Sequence, residues 1–502
     1  MVRTHVRTAF GLTAAALALT ACGSTVSPAA IQSGSSGDGL GAPQSQSSGN
    51  GVLTGSTGTG GSTGGGTTGA AGPIGSGGST TGGSTTGPTP SSAAPVTLPG
   101  STTVLGVKTP IKVGFLVAED VGKSLAALGY DGQSSGDGTN QTNAIVSFVN
   151  AHGGIAGHPI KPVIFEVKAA GGNSQEQSAC AMFFDDNKVD AVVGANSQVV
   201  SACALQHHVP FVGSALTTVP RSYLAKNPQY AMPTHPVIED GATALVDGLV
   251  KQGWFKASSA TEVVKIGLIT HDNPNYKNVE PLVTQRLKAA GLTLTSTFDM
   301  PYTDQNEGTA AAAGKSASLK FQASGINRVI SVDEHGYGFG WFAIAASSNG
   351  YYPRYGISSL SLPNFYTGLL SARSLQGAAG VGWAPYIDTS VDHQPIISSR
   401  TSDCINAEKK AGEHMELGNV RLSAFSICET VFTLADAWRT KQLGIANFSN
   451  GLTALGTSYK PVAVFGDDFA HSHAAANAYR FIGYNAGCSC FAYSGAVHRF
   501  GS

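Results

Sequence analysis

Asp467-Asp468, His471 and His473 are spaced closely enough to hold a divalent metal through carboxylate oxygens and imidazole nitrogens. They fall in a turn between strands, where a solvated loop accounts for the same composition, so no metal is assigned. Gly338-Phe339-Gly340-Trp341-Phe342-Ala343 has the glycine spacing of a dinucleotide fingerprint after a strand. That run lies mid-chain, and no strand-end acid follows about 20 residues on. No cofactor is implied. His207-His208 ends a helix, where a basic group suits the helix dipole. No His-Glu-x-x-His pair occurs, and no catalytic set emerges; the chain reads as a non-enzyme.

Cysteine carries more information. Cys180, Cys203, Cys404, Cys428, Cys488 and Cys490 are an even set, and disulfides are favoured in an exported chain. Neighbourhood suggests Cys180–Cys203, Cys404–Cys428 and Cys488–Cys490. The first two would staple adjacent elements. The third would close a tight ring around Ser489. Cys22 stands apart from all of them.

Strand and helix patterns alternate along the chain. Ile111 to Ala118 reads as a buried strand, and Thr142 to His152 as a helix with Ile145, Phe148 and Val149 on one face. Ile160 to Val167, Val189 to Gly194 and Pro210 to Ser214 are further strands, with helices at Ser174 to Asn187 and Ser197 to His208 between them. The pattern restarts with a helix at Val237 to Trp254 and a strand at Lys265 to Thr270. A helix at Val279 to Ala290, a strand at Arg328 to Val332 and a helix at Gly340 to Ser347 follow. Two runs of βα units imply two doubly wound, parallel-sheet α/β lobes joined by a hinge. After Gly377 a long helical region, Asp403 to Arg439, precedes short strands at Pro461 to Phe465, Tyr479 to Tyr484 and Cys490 to Tyr493.

The 30 Lys and Arg balance 31 Asp and Glu, with no basic block, which excludes nucleic-acid binding through a charged surface. Residues 31–90 contain 43 Gly, Ser or Thr, and Asp38 is the one charge between Gly23 and Val107. Such a stretch buries too little apolar surface to offset chain entropy and is expected to be a disordered linker. At about 5–6 Å times the square root of its length it would span roughly 50 Å. Arg3 and Arg7 precede an apolar run, Ala9 to Leu19, too short to span a bilayer at ~20 residues. Leu19-Thr20-Ala21-Cys22 resembles the bacterial lipobox, which implies that Cys22 is acylated and anchors the chain on the outer side of the cell membrane. The expected division is a signal peptide at 1–21, a lipidated cysteine and linker at 22–104, the first part of lobe 1 at 105–235, the main part of lobe 2 at 236–376, a return to lobe 1 at 377–460, and strands completing the lobes at 461–502.

Asn150-Ala151-His152-Gly153-Gly154-Ile155-Ala156-Gly157-His158-Pro159-Ile160, with the strand Val189 to Gly194 after it, resembles type I periplasmic binding proteins of the branched-chain amino acid, amide and urea group. Ile266 to Tyr276, opening the second lobe, is similar to the same group. The resemblance covers most of residues 108–495. It implies a hinged clamp that closes on a small polar ligand and delivers it to an ABC permease in the membrane, with the protein a monomer.

It also implies ligand contacts. Ser197 and Gln198 match the turn after the third strand, and Ser214, Ala215 and Thr217 a second hydroxyl-bearing turn. Tyr276 matches an aromatic that closes from lobe 2, and His335 or Tyr337 should face the cleft. Ser358-Ser359 falls where amino-acid-binding members carry an acid for the α-ammonium. Losing a buried counter-charge costs several kcal/mol, which argues against a standard α-amino acid. Glu119-Asp120 could meet a cation, though a solvated loop explains it as well. Two other roles share these features: a lipid-anchored sensor without transport, and an exported enzyme on the same fold.

Overall fold

The computed structural model describes residues 108–120, 122, 134–168, 172–195, 197–214, 218–301, 307–333, 336–438 and 443–501. The signal segment, Cys22, the linker, Ala215, Thr217 and His335 lie outside the described residues.

Lobe 1 opens with β1 (Ile111–Ala118), α1 (Gly138–Ala151), β2 (Ile160–Val167) and α2 (Gly172–Cys180), which runs on as a π-helical stretch over Ala181–Asp186. β3 (Ala191–Ala195), α3 (Gln198–Gln206), β4 (Phe211–Ser214), α4 (Arg221–Lys226) and β5 (Tyr230–Ala231) follow. The five strands form a parallel sheet in the order β2-β1-β3-β4-β5. β1 is covered on both faces, so its sequence from Val113 to Ala118 is a continuous apolar run rather than an alternating one.

The chain then builds lobe 2 from α5 (Ile238–Lys251), β6 (Ile266–Asp272), α6 (Val279–Ala289), β7 (Leu294–Pro301), α7 (Glu307–Ala323), β8 (Arg328–Ser331), α8 (Tyr337–Ser348), β9 (Arg354–Ser358), α9 (Pro363–Thr367), α10 (Ala372–Leu375) and β10 (Ala379–Gly382). Through α11 (Pro385–Asp388), which lies in the passage between the lobes, it returns to lobe 1 with α12 (Ser399–Lys410), α13 (Gly418–Ala437) and α14 (Ile445–Leu455). It ends with the hairpin β11 (Ala478–Asn485) and β12 (Cys490–Arg499) in lobe 2. The second sheet has the order β12-β11-β10-β9-β8-β6-β7, with β11 and β12 antiparallel.

Several boundaries differ from the sequence reading. β10 pairs with β9 and β11, so lobe 2 continues past residue 376 and the return begins at Trp383. The helical region 403–439 is two helices, α12 and α13, separated at residues 411–417. Pro461 to Phe465 is not a strand but part of a crossing between lobes. β7 and α7 carried no clear sequence signal. β7 lies at the sheet edge and buries few of its residues, and α7 is rich in Ala, Ser, Gly and Lys without a strong apolar stripe.

Small residues let the layers approach. On α5, Ile238, Ala242, Leu245 and Leu249 face inward, and Gly248 permits contact with Val381 and Phe481. α13 buries nearly every residue from Ala424 to Leu434, because β3 and β4, α1, α11 and α14 surround it. Cys404–Cys428 joins α12 to α13, Cys180–Cys203 joins the end of α2 to α3, and Cys488–Cys490 closes the turn of the last hairpin. These are the three pairs that neighbourhood suggested.

Gly194 stands where β3 runs against β1 with φ +123°, and a Cβ there would fall 2.2 Å from the Leu116 carbonyl oxygen. Neither the angle nor the space admits a side chain. Gly194→Ala is expected to destabilise the fold by about 2–4 kcal/mol, read as a lower midpoint in urea unfolding. A midpoint within error of the native chain would refute the packing described.

Candidate ligand-binding cleft

Three segments cross between the lobes, at residues 232–237, 383–390 and 461–477. The first leaves from the carboxyl end of β5, the second from the carboxyl end of β10. Since the other strands of each parallel sheet run the same way, both sheets turn their carboxyl ends toward the crossings. This is where ligands settle in doubly wound folds. The crossings are bonded to one another. Met232 N–H donates to the His473 carbonyl at 2.7 Å, Ala475 N–H to the Met232 carbonyl at 3.0 Å, and Phe465 N–H to the Trp383 carbonyl at 3.1 Å.

The rim on lobe 1 consists of strand-end hydroxyls. Ser197 follows β3 in extended conformation, and its Oγ caps α3 by accepting the Val200 N–H at 3.0 Å. Its O–H hydrogen remains available as a donor. Gln198 is exposed at the first position of α3. Ser214 ends β4 and is paired in register with Ala195, so Ser197 and Ser214 stand on adjacent strand ends. Asp120, after β1, is not free to meet a cation. It accepts from Gly122 N–H, Ser134 Oγ, and the N–H and Oγ of Ser135. Partial burial pushes its carboxyl up, but these four donors outweigh it and hold the group below the usual range.

The rim on lobe 2 comes from β6, β8 and β9, which are neighbours. Asn273 caps a single turn, Pro274–Tyr276, by accepting the Asn275 N–H at 2.9 Å. Tyr276 is 1% exposed, with its ring edge-on to His271 at 5.6 Å. It is therefore packed into lobe 2 and does not stand open over the cleft in this conformation. Tyr337 is half-buried at the start of α8, edge-on to Trp341. Ser358 is buried and accepts the Leu360 N–H at 3.3 Å. Asp333 is fully buried, accepting from Ser331 Oγ at 2.8 Å and Phe339 N–H at 2.9 Å; burial pushes it up to about 6. The two rims carry most of the residues singled out in the sequence, in two groups, one on each sheet.

Between the lobes lies a recess of about 330 Å³. Ser134 and the Glu416–Asn419 turn bound it from lobe 1, Asn364 and Phe365 from lobe 2, and Ser390 from the second crossing. A larger hollow of about 620 Å³, lined by Lys108, His152 and Arg400 among others, lies at the amino end of β1, away from the crossings.

A family model described as "Periplasmic binding protein" matches residues 110–402, more than half of the 502-residue chain. The chain belongs to the periplasmic binding protein family. Its fold is shared by solved structures of low sequence identity. An ABC transporter substrate-binding protein from Desulfitobacterium hafniense in complex with Leu is 17% identical, with 77% of this chain and 100% of that one covered and a TM-score of 0.52. A solute-binding protein of an ABC transporter from Rhodopseudomonas palustris HaA2 in complex with p-hydroxybenzoic acid is 13% identical, covers 78% and 98%, and has a TM-score of 0.57. A branched-chain amino acid ABC transporter protein from Thermus thermophilus with bound valine is 12% identical, covers 78% and 97%, and has a TM-score of 0.55. No curated protein matches the chain.

The sequence reading missed Asp388. It is an isolated acid in a short run, and nothing in its neighbours marks it. In the structure its Oδ2 gathers three donors at the second crossing: Ser359 Oγ at 2.9 Å, Ala384 N–H at 3.1 Å and Tyr493 Oη at 2.5 Å. Ser359 in turn accepts the Trp383 N–H at 2.8 Å. Asp467 is a correction. It is not in a solvated loop but 4% exposed, beside Glu429, and His473 is largely buried against the Tyr230 carbonyl. His471 is exposed and pairs with Asp468. Gly132-Gln133-Ser134-Ser135-Gly136 has the spacing of a serine nucleophile elbow and was also passed over. Ser134 Oγ donates to Asp120 at 2.8 Å and accepts the Gly136 N–H at 3.1 Å, so it is held by its own loop. Among the described residues, Cys404, Glu408 and Cys428 have metal-ligand spacing, but the two sulfurs are joined to each other.

Burial pushes Asp388 up to about 7 from an ordinary value of 3.8, with its three donors pulling the other way. Between those pH values the folded protein holds a proton that the unfolded chain has lost. Stability from this group is therefore greatest at low pH and is lost as pH rises through 7. Asn at this position can accept the same hydrogen bonds without charge. Asp388→Asn is expected to gain roughly 2–3 kcal/mol relative to the native chain between pH 5 and pH 8, measured by urea unfolding at both pH values. Parallel stability–pH curves for the two proteins would contradict the assignment.

Proposed function

We propose that this chain is an extracytoplasmic solute-binding lipoprotein that closes its two lobes on a small polar ligand and presents it to the permease of an ABC importer. The observation that carries the reading is the convergence of both sheets' carboxyl ends, with their hydroxyl rims, on one space spanned by three bonded crossings. Hinged closure needs chain crossings of this kind between two compact halves. The solved relatives support a small ligand, since their bound molecules are leucine, valine and p-hydroxybenzoic acid.

The hydroxyls and closed acids of the rims favour a ligand without a free ammonium group, although the exposed acids Asp272, at the end of β6, and Asp392 and Glu416, which line the recess, offer one a counter-charge. Asp120 is saturated by its own loop, Asp333 is buried under α8, and Asp388 is enclosed by Ser359, Ala384 and Tyr493. Ser358 and Ser359 stand where the resemblance puts an acid in amino-acid-binding members. Ser197 and Ser214 offer hydroxyl donors instead. An amide, urea or a carboxylic acid suits donors of this kind.

A thermal-shift screen over amino acids, amides, urea and aromatic acids tests both parts. At 100 times its dissociation constant the cognate ligand should stabilise the protein by about 2.7 kcal/mol. Leucine or valine as the best binder would sink the neutral-rim argument, and no binder in any class would remove support for a receptor. Ser197→Ala is expected to weaken the bound ligand tenfold or more, beyond the loss of about 1 kcal/mol in cap stability seen without ligand.

For the anchor, we propose Cys22 as the acylated residue. Cys22→Ser should move the protein from the membrane fraction to the soluble one. Retention in the membrane would count against acylation there.

A further inference from the structure

The three disulfides differ in exposure and in the chain that each encloses. Cys404 and Cys428 are 0% exposed between α12 and α13. Cys180 and Cys203 are half-buried and pack on the lobe 1 core. Cys488 is exposed at the tip of the β11–β12 hairpin, whereas its partner Cys490, the first residue of β12, is 5% exposed. A single residue, Ser489, separates the two, and it has φ +52°, a left-handed conformation that a residue with a Cβ rarely adopts. The other pairs lie 23 and 24 positions apart in the chain and impose no such turn.

We propose that Cys488–Cys490 is a thiol-exchange site, taking a low-molecular-weight thiol as its reaction partner. The thiolate attacks the exposed Cys488 sulfur in line with the S–S bond. That bond breaks, a new S–S bond joins Cys488 to the incoming thiol, and Cys490 leaves as a thiolate and takes up a proton. A second thiol then attacks the sulfur it resembles, releasing the small-molecule disulfide and leaving Cys488 as a thiol. Two electrons pass from two thiols to the protein disulfide. Cys488 is the one exposed cysteine of the six, so an incoming thiol meets less resistance here than at the other pairs. Because Cys490 stays one residue away, it can close again on the mixed adduct, which makes that adduct short-lived.

The position separates this chemistry from the cleft. β11 runs antiparallel to β10, with Gly483 opposite Ala379 at the start of β10 and Arg480 opposite Gly382 at its end. The hairpin tip therefore projects beyond the amino end of β10, while the crossing to lobe 1 leaves from the carboxyl end. Exchange at the tip is expected to leave the cleft rims unchanged and does not depend on which ligand they hold.

The test equilibrates the folded, full-length protein with mixtures of reduced and oxidised glutathione, traps free thiols by alkylation, and assigns them by peptide mass. Cys488 and Cys490 should be alkylated together at a value of [GSH]²/[GSSG] at least tenfold below that needed for either other pair. Joint opening of all three pairs, or opening of Cys180–Cys203 first, overturns the proposal. Single variants add an independent readout. Cys490→Ser should gain the mass of glutathione on Cys488 when given oxidised glutathione, and Cys488→Ser should gain little on the buried Cys490. Equal labelling of the two, or none, also overturns it. A parallel arm uses a reduced dithiol oxidoreductase in place of glutathione; reaction there alone would replace the small thiol by a protein thiol and so refute the partner proposed.

Discussion

The chain passes between its sheets three times, and each passage must remove backbone and side-chain polar groups from water without a regular ladder to receive them. Such groups are costly unless paired. The structure meets this constraint by zipping the crossings together and by placing acids beside them. Glu429, on α13, accepts N–H groups from Val462 and Ala463 and the hydroxyl of Tyr459. Ser398 and Thr401, at the start of α12, donate to the carbonyls of Pro461 and Val462. Asp388 does the equivalent work at the second crossing. The third crossing is thus tied to lobe 1 and the second to lobe 2, and what remains free to bend is the short chain between those ties.

The acids at the crossings cannot all be charged. Burial pushes both Glu429 and Asp467 up; Glu429 raises Asp467 further by like-charge repulsion, whereas the donors around Glu429 and the nearby Arg400 pull Glu429 back down. Glu429 has three donors around it, and the charge belongs there. Asp467 lies beside it with both oxygens buried and is held as the neutral acid. A neutral acid can be buried far more cheaply than a carboxylate. The hinge therefore gains hydrogen-bonding groups while keeping its net charge small, and a change of proton count there would act on both lobes at once.

Much of the architecture was legible because parallel strands buried on both faces write a continuous apolar run, as in Val113 to Ala118 and Ala191 to Ala195. The rim serines were legible for a related reason: a hydroxyl directly after such a strand caps the next helix, and Ser197 does this. Where a strand lies at an edge, as β7 does, the apolar signal weakens and the element was missed. β10 was missed because Ala379 to Gly382 is short and half glycine, small so that strands can approach: a Cβ on Gly380 would meet the Ile357 carbonyl oxygen at 1.7 Å. The acids were the least legible part. Asp388 and Asp467 look like surface residues in their local sequence. Their burial comes from segments far away in the chain, Tyr493 for one and α13 for the other, and no local pattern encodes that.

Tyr276 shows where the resemblance and the physics pull apart. An aromatic that closes over a ligand must be able to leave its own lobe. Here the ring is enclosed beside His271 and belongs to the same packed cluster as Val279 and Val283. Burying a large aromatic contributes about 2–3 kcal/mol, which a ligand would have to offset before the side chain could swing out. A ring that stays in place can still shape the floor of the cleft by fixing the backbone of Asn273 and Pro274 at the end of β6. On the proposed reading, recognition would rest on groups that need not move. The Ser197 hydroxyl already has its acceptor role filled by α3 and can turn its hydrogen to a guest without any rearrangement of the lobe.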